Sequence, residues 1–353
     1  MQIPVDPNPM PRLDEAAVRS GKMTNLPSDH MFLSEYAHGE WRKARIQGYR
    51  PIPVAPFALG MQYAQSVFEG MKAYRYEDDT IAVFRLDRHA ERFNRSLKRM
   101  WMPEVPVELF RESILAVVDV DRGWVPAGPD STLYIRPYVF ATEERVGLKP
   151  SDEFLYMVLT GPFRPNFPKP LRVKIEREYV RAAPGGVGAA KCAGNYAAAM
   201  YASQVAKEEG FDQLVWTDAF THSKVEEAGA MNMMFVVEGA LVTPPLSDTI
   251  LDGVTRDSIL TLARDAGITV EERPIEVEEL KEGITSGRIT EAFGCGTAAI
   301  VAPIGAIGID GKDYTLNVTE ECVMFDLKQQ LNDIRFGRTE DRYDWMTVVE
   351  PRQ

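Results

Sequence analysis

The chain has 353 residues, 45% hydrophobic and 26% charged, which places it among globular proteins and calls for two domains rather than one core. Forty basic residues against 52 acidic ones give a formal net charge of −12, so nucleic acid and anionic membrane are poor partners for its surface. Three widely spaced cysteines (Cys192, Cys295, Cys322), four histidines without metal spacing (His30, His38, His89, His222) and no long apolar run argue against a disulfide frame, a metal centre and a membrane span, and a cytoplasmic location is expected.

Taken in order, residues 1–25 read as an irregular arm, polar and rich in proline. From Met31 to Ala64, alternating aromatic and polar residues suggest short strands and turns. The segment QSVFEGMKAYRYEDDTIAVFRL reads as a hairpin turning at Glu77–Asp79. Asp87 is the expected N-cap of a helix in which Phe93, Leu97 and Met100 keep helical spacing. Its many cations (Arg88, Arg92, Arg95, Lys98, Arg99) are mostly a solvated face, with one available for a phosphate. A second amphipathic helix begins near Val107. STLYIRPYVFA and EFLYMVLTG are strand-like. GPFRPNFPKPL holds four prolines in eleven residues and is taken as the interdomain linker. The expected boundaries are a small domain over 1–160, a linker over 161–171 and a large domain over 172–353. In the latter, LRVKIEREYVRA and DQLVWTD read as strands and VEEAGAMNMMFVVEGALVTPP as a hairpin turning at Glu238–Gly239. LDGVTRDSILTLARDAG reads as a turn entering a helix. Strands alternating with helices imply an α/β or α+β fold.

The chemistry centres on APGGVGAAKCAGNY, where small residues deliver Lys191 and an alanine-rich helix follows. Small and apolar neighbours limit hydration of an ammonium and favour the neutral amine, the form that builds a Schiff base with an aldehyde. A phosphate loop is the rival, but Ala190 and Cys192 break GxxxxGK[ST], and Lys191 replaces the last glycine of GxGxxG. Pyridoxal phosphate needs a lysine, an acid at its ring nitrogen, a donor near its ring oxygen and a phosphate site. Lys191 and Tyr196 suit the first and third needs. Glu226 or Glu227, entering an apolar strand, suits the acid. Gly253, Val254 and Thr255 before a helix, or the turn at Thr297, would hold an anion.

The segments VFEGMKAY, LYIRP, GGVGAAKCAGNY, EEAGAMN, LVTPPL, LDGVTR and FGCGTAA resemble, in order and over nearly the whole chain, the branched-chain amino acid aminotransferases. These are pyridoxal-phosphate enzymes of fold type IV, a class that also contains D-amino acid aminotransferase and aminodeoxychorismate lyase. The resemblance implies a small N-terminal α/β domain, a larger pseudo-barrel domain, and ping-pong transamination of leucine, isoleucine and valine with 2-oxoglutarate. It assigns the Schiff base and proton transfer to Lys191, the ring nitrogen to Glu227, the ring oxygen to Tyr196 and the ring face to Leu251. The phosphate falls to Arg92, Thr297 and the amides of Val254 and Thr255. For substrate it implies Tyr63, Phe68 and Tyr134 as an apolar pocket, Thr297, Ala298 and the Tyr134 hydroxyl for the α-carboxylate, and Arg136 for the second carboxylate of glutamate. It further implies a homodimer in which the loop Val146–Leu148 covers the partner's pocket. Two departures stand out. Ala299 and Ala302 leave no CxxC switch, and Ala230 replaces a threonine at the pocket edge.

Overall fold

The computed structural model describes residues 3–128, 131–164 and 169–351. The chain divides into two compact units, one of Met1–Pro165, Ala190–Gly194 and Asp333–Gln353, the other of Asn166–Ala189 and Asn195–Asn332.

The first unit runs α1 (Glu15–Arg19), β1 (His30–Ala37), β2 (Glu40–Gly48), α2 (Leu59–Tyr63), β3 (Ser66–Phe68), β4 (Met71–Arg75) and β5 (Ile81–Phe84). It continues with α3 (Leu86–Arg99), α4 (Val107–Val120), β6 (Thr132–Ala141) and β7 (Phe154–Phe163). A C-terminal strand, Met346–Val348, opens an antiparallel sheet that continues β5, β4, β6, β7, β1, β2, with β3 also on β6. Period-two alternation along β6 buries Ile135, Val139 and Ala141 and leaves Tyr134, Arg136 and Tyr138 half-buried on the opposite face. On the buried face, Phe93 of α3 packs on Phe110 of α4 and Tyr156 of β7, with ring centroids 5.4 and 6.0 Å apart. Truncating Phe93 there would cost about 3–5 kcal/mol.

Several expectations need correction. The arm is not wholly irregular: α1 forms within it, capped by the Asp14 side chain. Asp87 is not the N-cap of α3. The helix begins at Leu86, after Arg85 in a left-handed conformation with no side-chain cap. The Arg85 amide donates to the Trp345 carbonyl at 2.6 Å, so the junction is held by a segment 260 residues away rather than by local capping. Of the expected linker, Gly161–Phe163 finish β7, and residues 165–168 lie outside the described residues. Pro162 is tolerated in that strand because it sits at the end, where its carbonyl accepts the Asn25 amide and β6 lines the other side.

The second unit contains β8 (Leu171–Ile175), α5 (Ala193–Glu208), β9 (Gln213–Thr217), β10 (Val225–Ala228), β11 (Met231–Val237) and β12 (Ala240–Thr243). After these come α6 (Val254–Asp265), β13 (Val270–Glu272), α7 (Val277–Ser286), β14 (Ile289–Gly296), β15 (Ile300–Ile309), β16 (Lys312–Thr315) and α8 (Val323–Arg335). The strand expected over LRVKIEREYVRA stops at Ile175. Six strands close on themselves in the order β8, β9, β10, β11, β14, β15 and back to β8. Closure removes the sheet edges, and Val173, Val215, Phe235, Ala292 and Ile304 are fully buried in its core. The β11–β12 hairpin turns at Glu238 and Gly239, both with positive φ, as its sequence requires.

Candidate active site

The five residues around Lys191 cluster with the first unit. Cys192 bridges to Val67, the Phe68 amide donates to the Lys191 carbonyl at 3.0 Å, and the Lys191 amide donates to Ser96 Oγ at 3.0 Å. The lysine is therefore held by its backbone against β3 and α3. Its Nζ lies 4.8 Å from the Phe68 ring centroid, and the Arg136 guanidinium lies 4.6 Å from the same centroid. One aromatic ring thus neighbours two cations, a favourable contact for each.

Behind Phe68 stands a cluster in which Arg92, expected at the phosphate, is joined by Glu69 and His89, to which the sequence reading gave no role. Glu69 is fully buried, with Arg92 and His89 almost so. The Glu69 carboxylate accepts Arg92 Nε at 2.8 Å and Nη2 at 2.5 Å, and lies 3.3 Å from His89 Nδ1. Burial by itself raises Glu69, but the Arg92 guanidinium and His89 outweigh it and hold the carboxyl well below its usual range. Burial lowers His89, and the Arg92 and Lys191 charges lower it further against the pull of Glu69. Spacing carried a signal here: His89 and Arg92 are i, i+3 on α3 and share its buried face.

Next to this, a cavity of about 340 Å³ is lined by Tyr134, Arg136, Leu159, Phe163 and the arm residues Asn25–Pro27, among others. Arg136 Nη2 donates to the Tyr134 hydroxyl at 2.9 Å, while its buried Nε has no hydrogen-bond partner. The wall is mainly apolar, with one cation and one phenol set into it. Tyr63 is exposed on α2 and does not line this cavity.

In the second unit, Glu227 is buried on β10. Arg181 Nε stands 3.1 Å from its Oε1, and the Leu251 amide donates to its Oε2 at 2.9 Å. Arg181 is fixed in turn by the carbonyls of Gly188 and Thr249. Glu226 faces Thr249 instead, whose hydroxyl donates at 2.6 Å, and burial raises its carboxyl above the ordinary value. The two glutamates therefore occupy different environments, as neighbours along a strand must. Helix α6 starts at Gly253 with no side-chain cap, so the Val254 and Thr255 amides belong to an uncapped first turn. A side chain at Gly253 would run into Asn232, whose Nδ2 bonds the Leu251 carbonyl at 2.9 Å. Tyr196 is half-buried in the first turn of α5, and Thr297 and Ala298 form the tight turn between β14 and β15.

A profile of the class IV amino-transferases matches residues 66–307. The chain belongs to the class IV aminotransferase family. This aminotransferase is 41% identical over 342 residues to the branched-chain-amino-acid aminotransferase of Mycobacterium tuberculosis (strain CDC 1551 / Oshkosh), covering 94% of this chain and 93% of that protein. It is also 41% identical to branched-chain-amino-acid transaminase 1 of Bacillus subtilis (strain 168), over 91% and 92% of the two chains. Among solved structures it resembles the branched-chain aminotransferase of Thermoproteus uzoniensis with norvaline, with TM-score 0.74 and 26% identity, covering 90% of this chain and all of that one. The Escherichia coli branched-chain enzyme gives TM-score 0.73 at 25% identity, over 91% and 99% of the chains. The aminotransferase thus has the fold-type IV architecture that its motifs implied.

Proposed function

We propose that this class IV aminotransferase exchanges the amino group of leucine, isoleucine or valine with 2-oxoglutarate, using pyridoxal phosphate. The observation that carries the substrate side is the Arg136 cavity, where an apolar wall suits a branched alkyl group and one guanidinium suits a second carboxylate. The names of its relatives point the same way.

The residues present fit the cofactor. A half-buried lysine lies beside an aromatic ring, a buried carboxylate is held in place by Arg181 and the Leu251 amide, and a helix of twelve residues begins uncapped at a glycine. Pyridoxal phosphate supplies, when bound, an aldehyde for the amine and a ring that takes up the electron pair left at Cα. Lys191 Nζ would supply that amine and, once released, would take up and return the proton at the substrate Cα. Glu227 would keep the ring nitrogen protonated, with Arg181 and the Leu251 amide fixing its carboxylate. Tyr196 would donate to the ring oxygen, and Leu251 would pack against the ring. Arg92, Thr297 and the Val254 and Thr255 amides would hold the phosphate, with Glu69 setting the plane of the Arg92 guanidinium. Phe68 and Tyr134 would bound the substrate's alkyl group, whereas Tyr63, exposed on α2, stands outside that cavity. Thr297, Ala298 and the Tyr134 hydroxyl hold its α-carboxylate.

The loop at Val146–Leu148 supports a homodimer. Val146 and Leu148 are more than three-quarters exposed, an arrangement that favours cover from a partner. Among the described residues no helix is long and apolar enough to cross a membrane. The three cysteines are free and buried, which suits the reducing cytoplasm.

The test is an assay of L-leucine with 2-oxoglutarate beside D-alanine, together with the visible absorbance of the purified protein. Turnover of L-leucine and a band that disappears in Lys191→Ala are expected. Preference for D-alanine, or a colourless folded protein after incubation with pyridoxal phosphate, overturns the reading.

A further inference from the structure

The cavity at Arg136 has one wall that does not come from the sheet. Arm residues Asn25, Leu26 and Pro27 line it opposite Tyr134, Arg136 and Phe163. Cross-strand register pairs Tyr134 with Gly161 and Arg136 with Leu159, which places all four on one face of the sheet. The arm crosses that face at Gly161. A Cβ at Gly161 would fall well inside contact distance of the Leu26 carbonyl oxygen, and 3.3 Å from its carbon. Only glycine admits backbone so near.

The arm is tied down on both sides of this crossing. Asn25, in a left-handed conformation, donates its amide to the Pro162 carbonyl at 2.8 Å, and the Ser28 amide donates to Thr160 at 2.8 Å. Arg12 Nη2 donates to the carbonyls of Pro27 and Ser28 at 2.9 and 2.8 Å. Buried Asp29 accepts the Arg12 amide at 2.7 Å and Trp124 Nε1 at 3.0 Å. The crossing segment is therefore fixed at one distance from the sheet.

We propose that Asn25–Pro27 is the wall that sets the size limit of the side-chain cavity, and that Gly161 determines how near the wall stands. The distance of this wall from the sheet decides how large a side chain the cavity admits. Leu26, Gly161 and Arg12 are specificity-determining residues that take no part in the chemistry. This inference rests on the transamination proposed above.

The experiment measures kcat/KM for L-leucine and L-phenylalanine, each with 2-oxoglutarate, in the wild-type holoenzyme and in Gly161→Ala, Leu26→Ala and Arg12→Ala. A steric limit of this kind shifts the phenylalanine-to-leucine ratio upward by about tenfold in Gly161→Ala and Leu26→Ala. Arg12→Ala shifts it the same way by less, with faster trypsin cleavage after Lys22 as an independent sign that the arm has loosened. If Gly161→Ala is not recovered folded, Leu26→Ala decides alone. Unchanged ratios in the folded variants, or an equal fall for both donors, overturn the wall. Binding of 4-methylvaleric acid, followed by calorimetry, separates the two readings. A wild type that binds this acid and loses discrimination among longer acids in Leu26→Ala, yet never turns over leucine, sinks the reaction and upholds the wall.

Discussion

Glu69 and Arg92 form a bidentate ion pair inside the first unit, with nitrogen–oxygen separations of 2.8 and 2.5 Å and both side chains at most 5% exposed. Two charges taken out of water are tolerated only in such a geometry, and removing one partner strands the other. Glu69→Ala should therefore destabilise the protein by about 3–5 kcal/mol, measured by denaturant unfolding. Glu69→Gln keeps the volume and should cost less, while weakening pyridoxal phosphate binding in a titration followed by absorbance. Full cofactor affinity in Glu69→Gln would separate Arg92 from the phosphate.

The same cluster gives stability an acid limb. Glu69 and His89 both have folded-state values below their unfolded ones. For a depressed group the unfolded chain binds the proton first, so the contribution is whole above the unfolded value and declines as pH falls. The decline should begin below about pH 6.5 for His89 and continue below about pH 4.3 for Glu69. His89→Gln should flatten the Tm profile between about pH 5 and 6.5 and leave the lower limb in place. An unchanged slope across that window counts against a role for His89.

His30 and Asp121 act in the opposite sense. The Asp121 carboxylate, 2.7 Å from His30 Nδ1, raises the imidazole, and burial raises Asp121 itself. A raised group contributes fully below its unfolded value, about 6.5 for histidine, and loses that contribution as pH rises through the folded value. Asp121→Asn should lower Tm most on the acid side of neutrality and least at pH 8 and above. Thermal melts across that range check it.

Much of the fold is legible where the pattern is local. The alternation in STLYIRPYVFA and the Glu238–Gly239 turn specify strand and hairpin by short-range geometry, and β6 and the β11–β12 hairpin form accordingly. What escaped reading depends on long-range contacts. Arg85 takes its left-handed conformation because Trp345 receives its amide. Pro162 remains in a strand because Asn25 meets its carbonyl. On the site, the motif around Lys191 marks the lysine, and the apolar strand after Glu226–Glu227 marks the acids. The supports of these groups are less visible, since Arg181 and Glu69 look like ordinary charged residues until the fold buries them beside opposite charges.

Arg136 separates the two substrates most directly. Its guanidinium stacks 4.6 Å from Phe68 and 5.2 Å from Tyr134, and its buried Nε has no hydrogen-bond partner. A dicarboxylate would complete that guanidinium, whereas leucine would use only the apolar walls. A charge-assisted hydrogen bond is worth about 1.5–3 kcal/mol, or roughly 10- to 150-fold. Arg136→Ala should therefore raise KM for 2-oxoglutarate by that factor and change kcat/KM for leucine by less than about threefold. Arg136→Lys should recover little of the loss, because an ammonium has neither the planar fork nor the flat face that lies over Phe68. Steady-state kinetics varying each substrate in turn checks both, and equal losses on leucine and 2-oxoglutarate would remove Arg136 from the discrimination.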